Sequence, residues 1–281
     1  PASLFALLGV AGLATRDLAT RAVPRATSSV VLSAWGFSML IPTGAALLAL
    51  TVPENLTLGE FDDFLGGFSE ALKTVGIPLS GGNITRGGDF AASITVLGSA
   101  KSPVGRRDAT PNQLIVLTGA LGGSEAGRML LTGEVESAGM SAEELASLEN
   151  RFLRPSPPFG VGELLAELGA TAMIDLSDGL LADASHIASE SGVRLHIELD
   201  RLPLFHGLVD FCRIAGRDPA RLAAISGEEF ELLATIPEAS RSKLEESEAD
   251  FAVIGRVHPG KGIETTLRGA VVDIEGGWRH F

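Results

Sequence analysis

TAMIDLSDGLLADASHIASESG, residues 171–192, places a strand, an acidic turn and a helix in immediate succession. An apolar approach ends at Asp175, and Asp-Leu-Ser-Asp-Gly follows. Leu180, Leu181, Ala184, Ile187 and Ala188 then recur at the spacing of one helix face, closed by Gly192. This order predicts Asp175 at the C-terminal end of the strand, with Ser177 and Asp178 beside the first free N–H groups of the helix. Such a helix end can hold an anion, and two carboxylates can hold Mg²⁺. The same residues fit a plainer role, in which Ser177 or Asp178 is an N-cap and Asp175 a solvated turn residue.

Working outward, 281 residues exceed what one compact core usually holds, so two domains are expected. The 34 glycines and the alternating apolar segments suggest α with β. A formal net charge of −13 argues against a nucleic-acid or anionic-membrane surface, because like charges repel. A phosphorylated ligand then needs Mg²⁺ or local backbone donors. The single cysteine, Cys212, excludes an internal disulfide and fits a cytoplasmic protein; it is expected to be a buried small hydrophobe. No basic segment precedes the apolar Leu4 to Leu13, so no secretory signal is expected, and the chain can be a fragment. Ala26 to Pro53 carries no charge across 28 residues, long enough to span a bilayer. Ser33, Ser38 and Pro42-Thr43-Gly44 divide it into an amphipathic helix near Val30 to Leu40 and a buried strand, Ala45 to Val52, so no membrane span is expected.

Thr57 is placed to cap a helix with the apolar stripe Phe61, Phe64, Leu65, Phe68, Leu72 and Val75, ended by Gly76. Ile77 to Ser80 reads as a short strand feeding Gly81-Gly-Asn-Ile-Thr-Arg-Gly87, followed by a strand from Phe90 to Leu97. The glycine-rich segment has two equal readings: a hairpin turn, or a loop whose N–H groups, Asn83 and Arg86 approach an anion. Lys101 to Gln113 is polar and holds Pro103 and Pro111, so the domain boundary is set there, giving domains 1–111 and 112–281. Beyond it come a strand at Leu114 to Leu117, a helix from near Ser124, helices over Ser141 to Phe152 and Val161 to Leu168, a strand at Arg194 to Leu199 and a helix near Leu208 to Ala215. In Ile225 to Ile236, alternation sends Leu232 inward and Glu228, Glu229 and Glu231 outward as a solvated acidic turn. Gly255 to Gly262 only approximates a phosphate-binding loop: it lacks the final Ser or Thr, contains Pro259 and runs into a β-like segment. The five histidines show no paired metal-ligand spacing.

Taken in order, GGNITRG at 81–87, AMIDLSDGLLAD at 172–183, SGEEFELL at 226–233, VIGRV at 253–257 and GWRHF at 277–281 resemble the thiamine-monophosphate kinase family. That family groups with aminoimidazole ribonucleotide synthetase and selenophosphate synthetase. The resemblance runs from about Ala45 to Phe281. It implies an α/β (α+β) two-domain fold, with an N-terminal α/β domain whose sheet pairs with a second subunit in a homodimer and a C-terminal α/β domain. It also implies ATP and several Mg²⁺ ions in the cleft, and conversion of thiamine monophosphate to thiamine diphosphate. By that resemblance Asp175 and Asp178 are catalytic and bind Mg²⁺, with Asn83 as a further metal ligand. Gly82, Asn83, Arg106 and Ser177 would contact the nucleotide, and Glu228 and Trp278 the thiamine phosphate. In-line phosphoryl transfer needs positioning and charge neutralisation, so no protein nucleophile is required.

The N-terminus departs from the pattern. The family's Gly-Asp-Asp segment has no counterpart, Phe5 and Leu32-Ser33-Ala34-Trp35 stand where two further aspartates fall, and only Asp17 is similar. Each lost carboxylate removes a metal ligand. The resemblance therefore implies fewer Mg²⁺ ions, with a weak or inactive nucleotide- and thiamine-phosphate-binding relative as the alternative.

Overall fold

Ala45–Val52 is apolar at all but one position and forms β1, the central strand of a three-stranded sheet. The computed structural model describes residues 44–100, 102–247 and 249–274, which fall into two compact units divided between residues 101 and 102. The expected helix near Val30 to Leu40, Asp17 and Trp278 lie outside the described residues. In the first unit, β1 leads to α1, Leu58–Val75, then β2, Leu79–Arg86, and β3, Ala91–Leu97. Thr57 and Glu60 form a reciprocal capping box at the start of α1, and Gly76 ends it in the left-handed region at φ 69°. Phe64 of the sequence-predicted stripe packs edge-on against Phe90 at 5.0 Å.

The glycine-rich segment 81–87 is not the turn that its composition suggests. Gly81 to Arg86 lies within β2, which pairs in parallel with β1, Leu48 opposite Gly82 and Ala49 opposite Asn83. β3 flanks the other side of β1 in antiparallel register. Gly82 is required for this closeness: a Cβ there would stand 1.8 Å from the Leu48 carbonyl oxygen. Its glycine serves strand against strand, which local composition does not reveal.

The second unit is built on a seven-stranded sheet. Its elements are β4, Leu114–Thr118; α2, Gly123–Leu131; α3, Ala142–Leu153; α4, Val161–Glu167; β5, Ala172–Asp175; α5, Leu180–Ser191; and β6, Arg194–Glu198. They continue with α6, Leu208–Ala215; α7, Pro219–Ile225; β7, Leu232–Ile236; α8, Arg241–Glu245; β8, Phe251–His258; β9, Gly262–Leu267; and β10, Ala270–Val272. The strand order is β10-β9-β6-β8-β4-β7-β5, with β6 and β9 parallel and the other neighbours antiparallel. Every residue of β4 is buried, as its unbroken apolar run requires. Ile115 and Leu117 join the larger core, with Leu180, Ala184 and Ile187 of α5 and Phe211 of α6. Leu114 and Val116 join a smaller core with Leu165 of α4 and Leu244 of α8. Helices thus cover both faces, and burial of each such aliphatic side chain contributes about 1.5–3 kcal/mol.

Two segments differ from the sequence reading. Residues 226–231 form a loop before β7, and Glu229 and Glu231 are buried rather than outward. Helix α7 is an addition, and its signal is Asp218-Pro219: the Asp218 side chain accepts from Arg221 N–H, and proline stands at the first turn. The Gly255–Gly262 segment forms the end of β8, a turn and the start of β9, as its composition indicated. Among the described residues no helix is long and apolar enough to cross a membrane, and the end of the uncharged Ala26–Pro53 segment is β1.

Gly82→Ala should lower stability by about 1–3 kcal/mol through strand displacement, while Gly88→Ala, with open space around its Cβ, changes it little; denaturant unfolding distinguishes them. Cys212 is buried, and burial pushes its thiol up to about 11. A thiol reagent at pH 8 is therefore expected to label it only after unfolding.

Candidate active site

The antiparallel pairing of β5 with β7 sets Asp175 opposite Leu232 and then continues past both strands. Leu176 N–H donates to the Glu231 carbonyl, Phe230 N–H to the Leu176 carbonyl and Glu228 N–H to the Ser177 carbonyl, each at 2.8 Å. The Asp-Leu-Ser-Asp-Gly turn and the Ser-Gly-Glu-Glu-Phe-Glu loop are therefore cross-linked through their backbones. Two glycines permit the approach: a Cβ on Gly179 would lie 2.8 Å from the Ile225 carbonyl oxygen, and one on Gly227 would lie 2.9 Å from that of Ser177. Glu228 and Phe230 hold left-handed backbone conformations, at φ 58° and 53°. Such strain costs on the order of 1–3 kcal/mol per residue and persists where surrounding bonds fix the chain.

The N-terminal end of α5 is organised by a residue inside the helix. Gly179 is the N-cap and provides no capping side chain. Asp183, 2% exposed, instead turns its Oδ2 back to accept the N–H groups of Ser177, Asp178 and Gly179 at 3.0, 3.0 and 3.1 Å. Burial pushes the Asp183 carboxyl up from its ordinary value, and these N–H bonds pull it back toward the ionised form. Neither Ser177 nor Asp178 is the N-cap, which is Gly179, while Asp175 is exposed as the plainer reading expected. The N–H groups of Ser177, Asp178 and Gly179, just before the first turn of α5, are bound by the chain's own carboxylate. The Asp175 and Glu228 residues are exposed, and Ser177 and Asp178 are half-buried.

Asp175 and Asp178 border different hollows. Asp175 lines a cavity of about 480 Å³ with Pro157, Pro158, Phe159, Phe230 and Leu232. Asp178 lines one of about 790 Å³ with Leu181, His186, Arg194, Lys261 and Glu264. Beside the second hollow, which Asp178 and His186 line, ligand atoms of Asp178, Asp183 and His186 lie within 4.8 Å of one another. A search for paired histidines in the sequence misses this group, because its partners are carboxylates at spacings of five and three residues.

The other predicted site residues are distributed by the fold. Arg106 is exposed, and its carbonyl accepts from Ser191 Oγ at the C-terminal end of α5, the end away from Asp178. Gly82 and Asn83 belong to β2 of the first unit. Beneath Glu228, Arg151 of α3 donates to Glu229 Oε2 at 3.1 Å, to the Glu229 carbonyl at 2.7 Å and to Glu231 Oε1 at 2.8 Å. Glu229 also accepts from the N–H groups of Gly122 and Ser124 and from Ser226 Oγ, and Glu231 accepts from Thr118 Oγ1. Burial pushes the Glu229 carboxyl up, opposed by Ser226 and Arg151. Removing the arginine leaves two buried carboxylates without their cation, so Arg151→Leu should destabilise the protein by about 3–5 kcal/mol in urea unfolding. Arg151→Lys should recover only part, since an ammonium lacks the fixed fork of donors.

Residues 110–268 match the family model described as AIR synthase related protein, C-terminal domain. A thiamine-monophosphate kinase of Aquifex aeolicus (strain VF5) is 34% identical over 84% of this chain and 74% of its own length. One of Methanopyrus kandleri (strain AV19) is 38% identical over 70% of this chain, which spans 60% of that relative. A solved structure described as AaThiL complexed with AMPPCP and TMP superposes with a TM-score of 0.75 at 32% identity, covering 84% of this chain and 73% of that one. With more than half of the chain matched by the domain model and sequence-level likeness across both units, the chain belongs to the thiamine-monophosphate kinase family.

Proposed function

We propose that this chain transfers the terminal phosphoryl group of ATP to thiamine monophosphate, giving ADP and thiamine diphosphate by direct in-line attack. The observation that carries this reading is the backbone-locked pair of loops presenting Asp175, Ser177, Asp178 and Glu228 in a chain of this family. The related structure complexed with AMPPCP and TMP supports a nucleotide and a thiamine phosphate as the two substrates.

Each side chain has a definite task in this reading. Ser177 donates its hydroxyl to a nucleotide phosphate oxygen. Arg106 and the backbone at Gly82 and Asn83 contact the nucleotide, and Glu228 and Trp278 hold the thiamine phosphate. A carboxylate suits the aminopyrimidine or the thiazolium cation, and an indole face suits the ring. The donors suit Mg²⁺: Asp175 and Asp178, from the borders of different hollows, and the Asn83 carbonyl, from the first unit, each offer a hard oxygen ligand, and the backbone of the turn at residues 177–179 is preformed by Asp183. Bound there, Mg²⁺ supplies charge neutralisation between the polyphosphate and an acidic protein. The backbone bonds that join Leu176 and Ser177 to Glu228, Phe230 and Glu231 keep the two loops in register, so that the reacting oxygens are positioned without reorganisation at the moment of transfer. Exposed apolar side chains on β2 and β3, Leu79, Ile84, Ile94 and Val96, support pairing of the first unit's sheet with a second copy.

A coupled ADP-release assay with thiamine monophosphate, ATP and Mg²⁺ tests the reading. Turnover is expected, and Asp175→Asn should reduce kcat on the order of a hundredfold. Absence of turnover, or an unchanged rate in Asp175→Asn, contradicts it; calorimetric binding of both ligands without turnover would instead favour a non-catalytic relative.

A further inference from the structure

Resting on the kinase reading, we infer that the smaller hollow, beside Asp175, seats the cationic thiazolium ring of thiamine monophosphate, with Phe159, Phe230 and Glu163 selecting for its charge. At about 480 Å³ the hollow has the size of a small-molecule site. Its walls are apolar at Pro157, Pro158 and Leu232, and its charged groups among the described residues are two carboxylates, Asp175 and Glu163. Among the described residues no lysine, arginine or histidine lines it, whereas Arg194 and Lys261 line the larger hollow. Neither phenylalanine belongs to either core. Phe159 is 65% exposed, and Phe230 holds the left-handed backbone at φ 53°, a genuine outlier for so bulky a residue.

Both rings are placed by their backbones rather than by core packing. Phe159 follows two prolines, whose φ is fixed; its N–H donates to the Pro157 carbonyl at 2.8 Å, and Val161 N–H donates to the Pro158 carbonyl at 3.2 Å. Phe230 is tied by its N–H to the Leu176 carbonyl. An aromatic side chain on a stiff turn offers contact area at little entropic cost, and strain of the Phe230 kind gathers at ligand clamps. The lining then decides the ligand. A cation over a phenyl face is attracted by the negative face of the ring, and nearby carboxylates add to that attraction. Ionised carboxylates accept hydrogen bonds and donate none. A purine, whose ring nitrogens call for donors, is poorly served there, and a polyphosphate is repelled. A thiazolium has no lone pair left on nitrogen and no N–H to satisfy, so apolar walls, π faces and negative charge meet its needs. Asp175 ends β5 at the start of the acidic turn and also lines the hollow, so the two-carbon arm of the substrate carries its phosphate from the hollow toward that turn.

The test is calorimetry on the full chain with Mg²⁺ and without ATP, comparing thiamine monophosphate with the analogue in which a neutral thiophene replaces the thiazolium. Wild type is expected to bind thiamine monophosphate about tenfold or more tightly than the analogue. Phe159→Leu keeps apolar area and removes the π face, and Glu163→Gln removes the charge. Each should cut that preference about threefold or more, with binding of the analogue and thermal unfolding unchanged, since both positions are exposed. A purely structural role would move both ligands alike. Equal wild-type affinity for the two ligands, no measurable binding of thiamine monophosphate, or an undiminished preference in both variants would overturn the assignment. So would a Phe159→Leu variant that loses affinity for AMPPCP instead, which would put the adenine ring in this hollow. The kinase reading fails separately: charge preference without ADP release contradicts turnover alone, and ADP release without charge preference contradicts the hollow's role alone.

Discussion

Three backbone N–H groups converge on one buried oxygen, Asp183 Oδ2, and the form of the acidic turn follows from that convergence. A carboxylate taken from water needs donors around it, and a turn that leaves consecutive N–H groups unpaired needs an acceptor. Each requirement is met by the other. With the backbone of residues 177–179 fixed from inside, neither Ser177 nor Asp178 is the N-cap of the helix. The facing loop is held by the same logic at larger scale: Glu229 gathers donors from Gly122, Ser124, Ser226 and Arg151, leaving Glu228 as the exposed carboxylate of the pair.

This arrangement makes two kinds of carboxylate out of one acidic sequence. Asp183, Glu229 and Glu231 are structural: they are buried, supplied with donors and turned toward the chain. Asp175 and Glu228 are exposed, and Asp178 stands between the two groups. Leucine at 176 and the glycines at 179 and 227 serve the same end. Leu176 is fully buried and anchors the middle of the turn, and the glycines allow the two backbones to approach. Rigidity comes from burial, and chemistry from what remains outside, which is how a preorganised site avoids reorganisation.

Much of this was legible in the sequence wherever the deciding contact is local. The helix stripes at Leu180 to Ala188 and Phe61 to Val75, the capping residue Thr57 and the terminating glycines Gly76 and Gly192 all act over three or four residues. The ordered motifs carried the family. What stayed hidden depends on distant partners. Glu229 and Glu231 read as solvent-facing acids because their cation, Arg151, lies 78 and 80 residues away. Gly81 to Arg86 read as a loop because glycine has poor strand propensity, and only the approach of Leu48 explains why it belongs in a strand. The role of Asp183 was not legible, since nothing local says that its carboxylate turns back over the turn before the helix.

The central claim is that the turn presenting Asp175, Ser177 and Asp178 is formed and occupied from within before any ligand arrives. Amide hydrogen exchange at Ser177, Asp178 and Gly179 in the ligand-free chain measures this directly. Slow exchange is predicted at all three, unchanged by adding ATP and Mg²⁺ and lost in Asp183→Ala while the Leu195 and Ile197 amides of β6 stay protected. Fast exchange in the ligand-free chain that slows only when nucleotide binds would contradict the account, because the N–H groups would then be waiting for phosphate rather than holding Asp183.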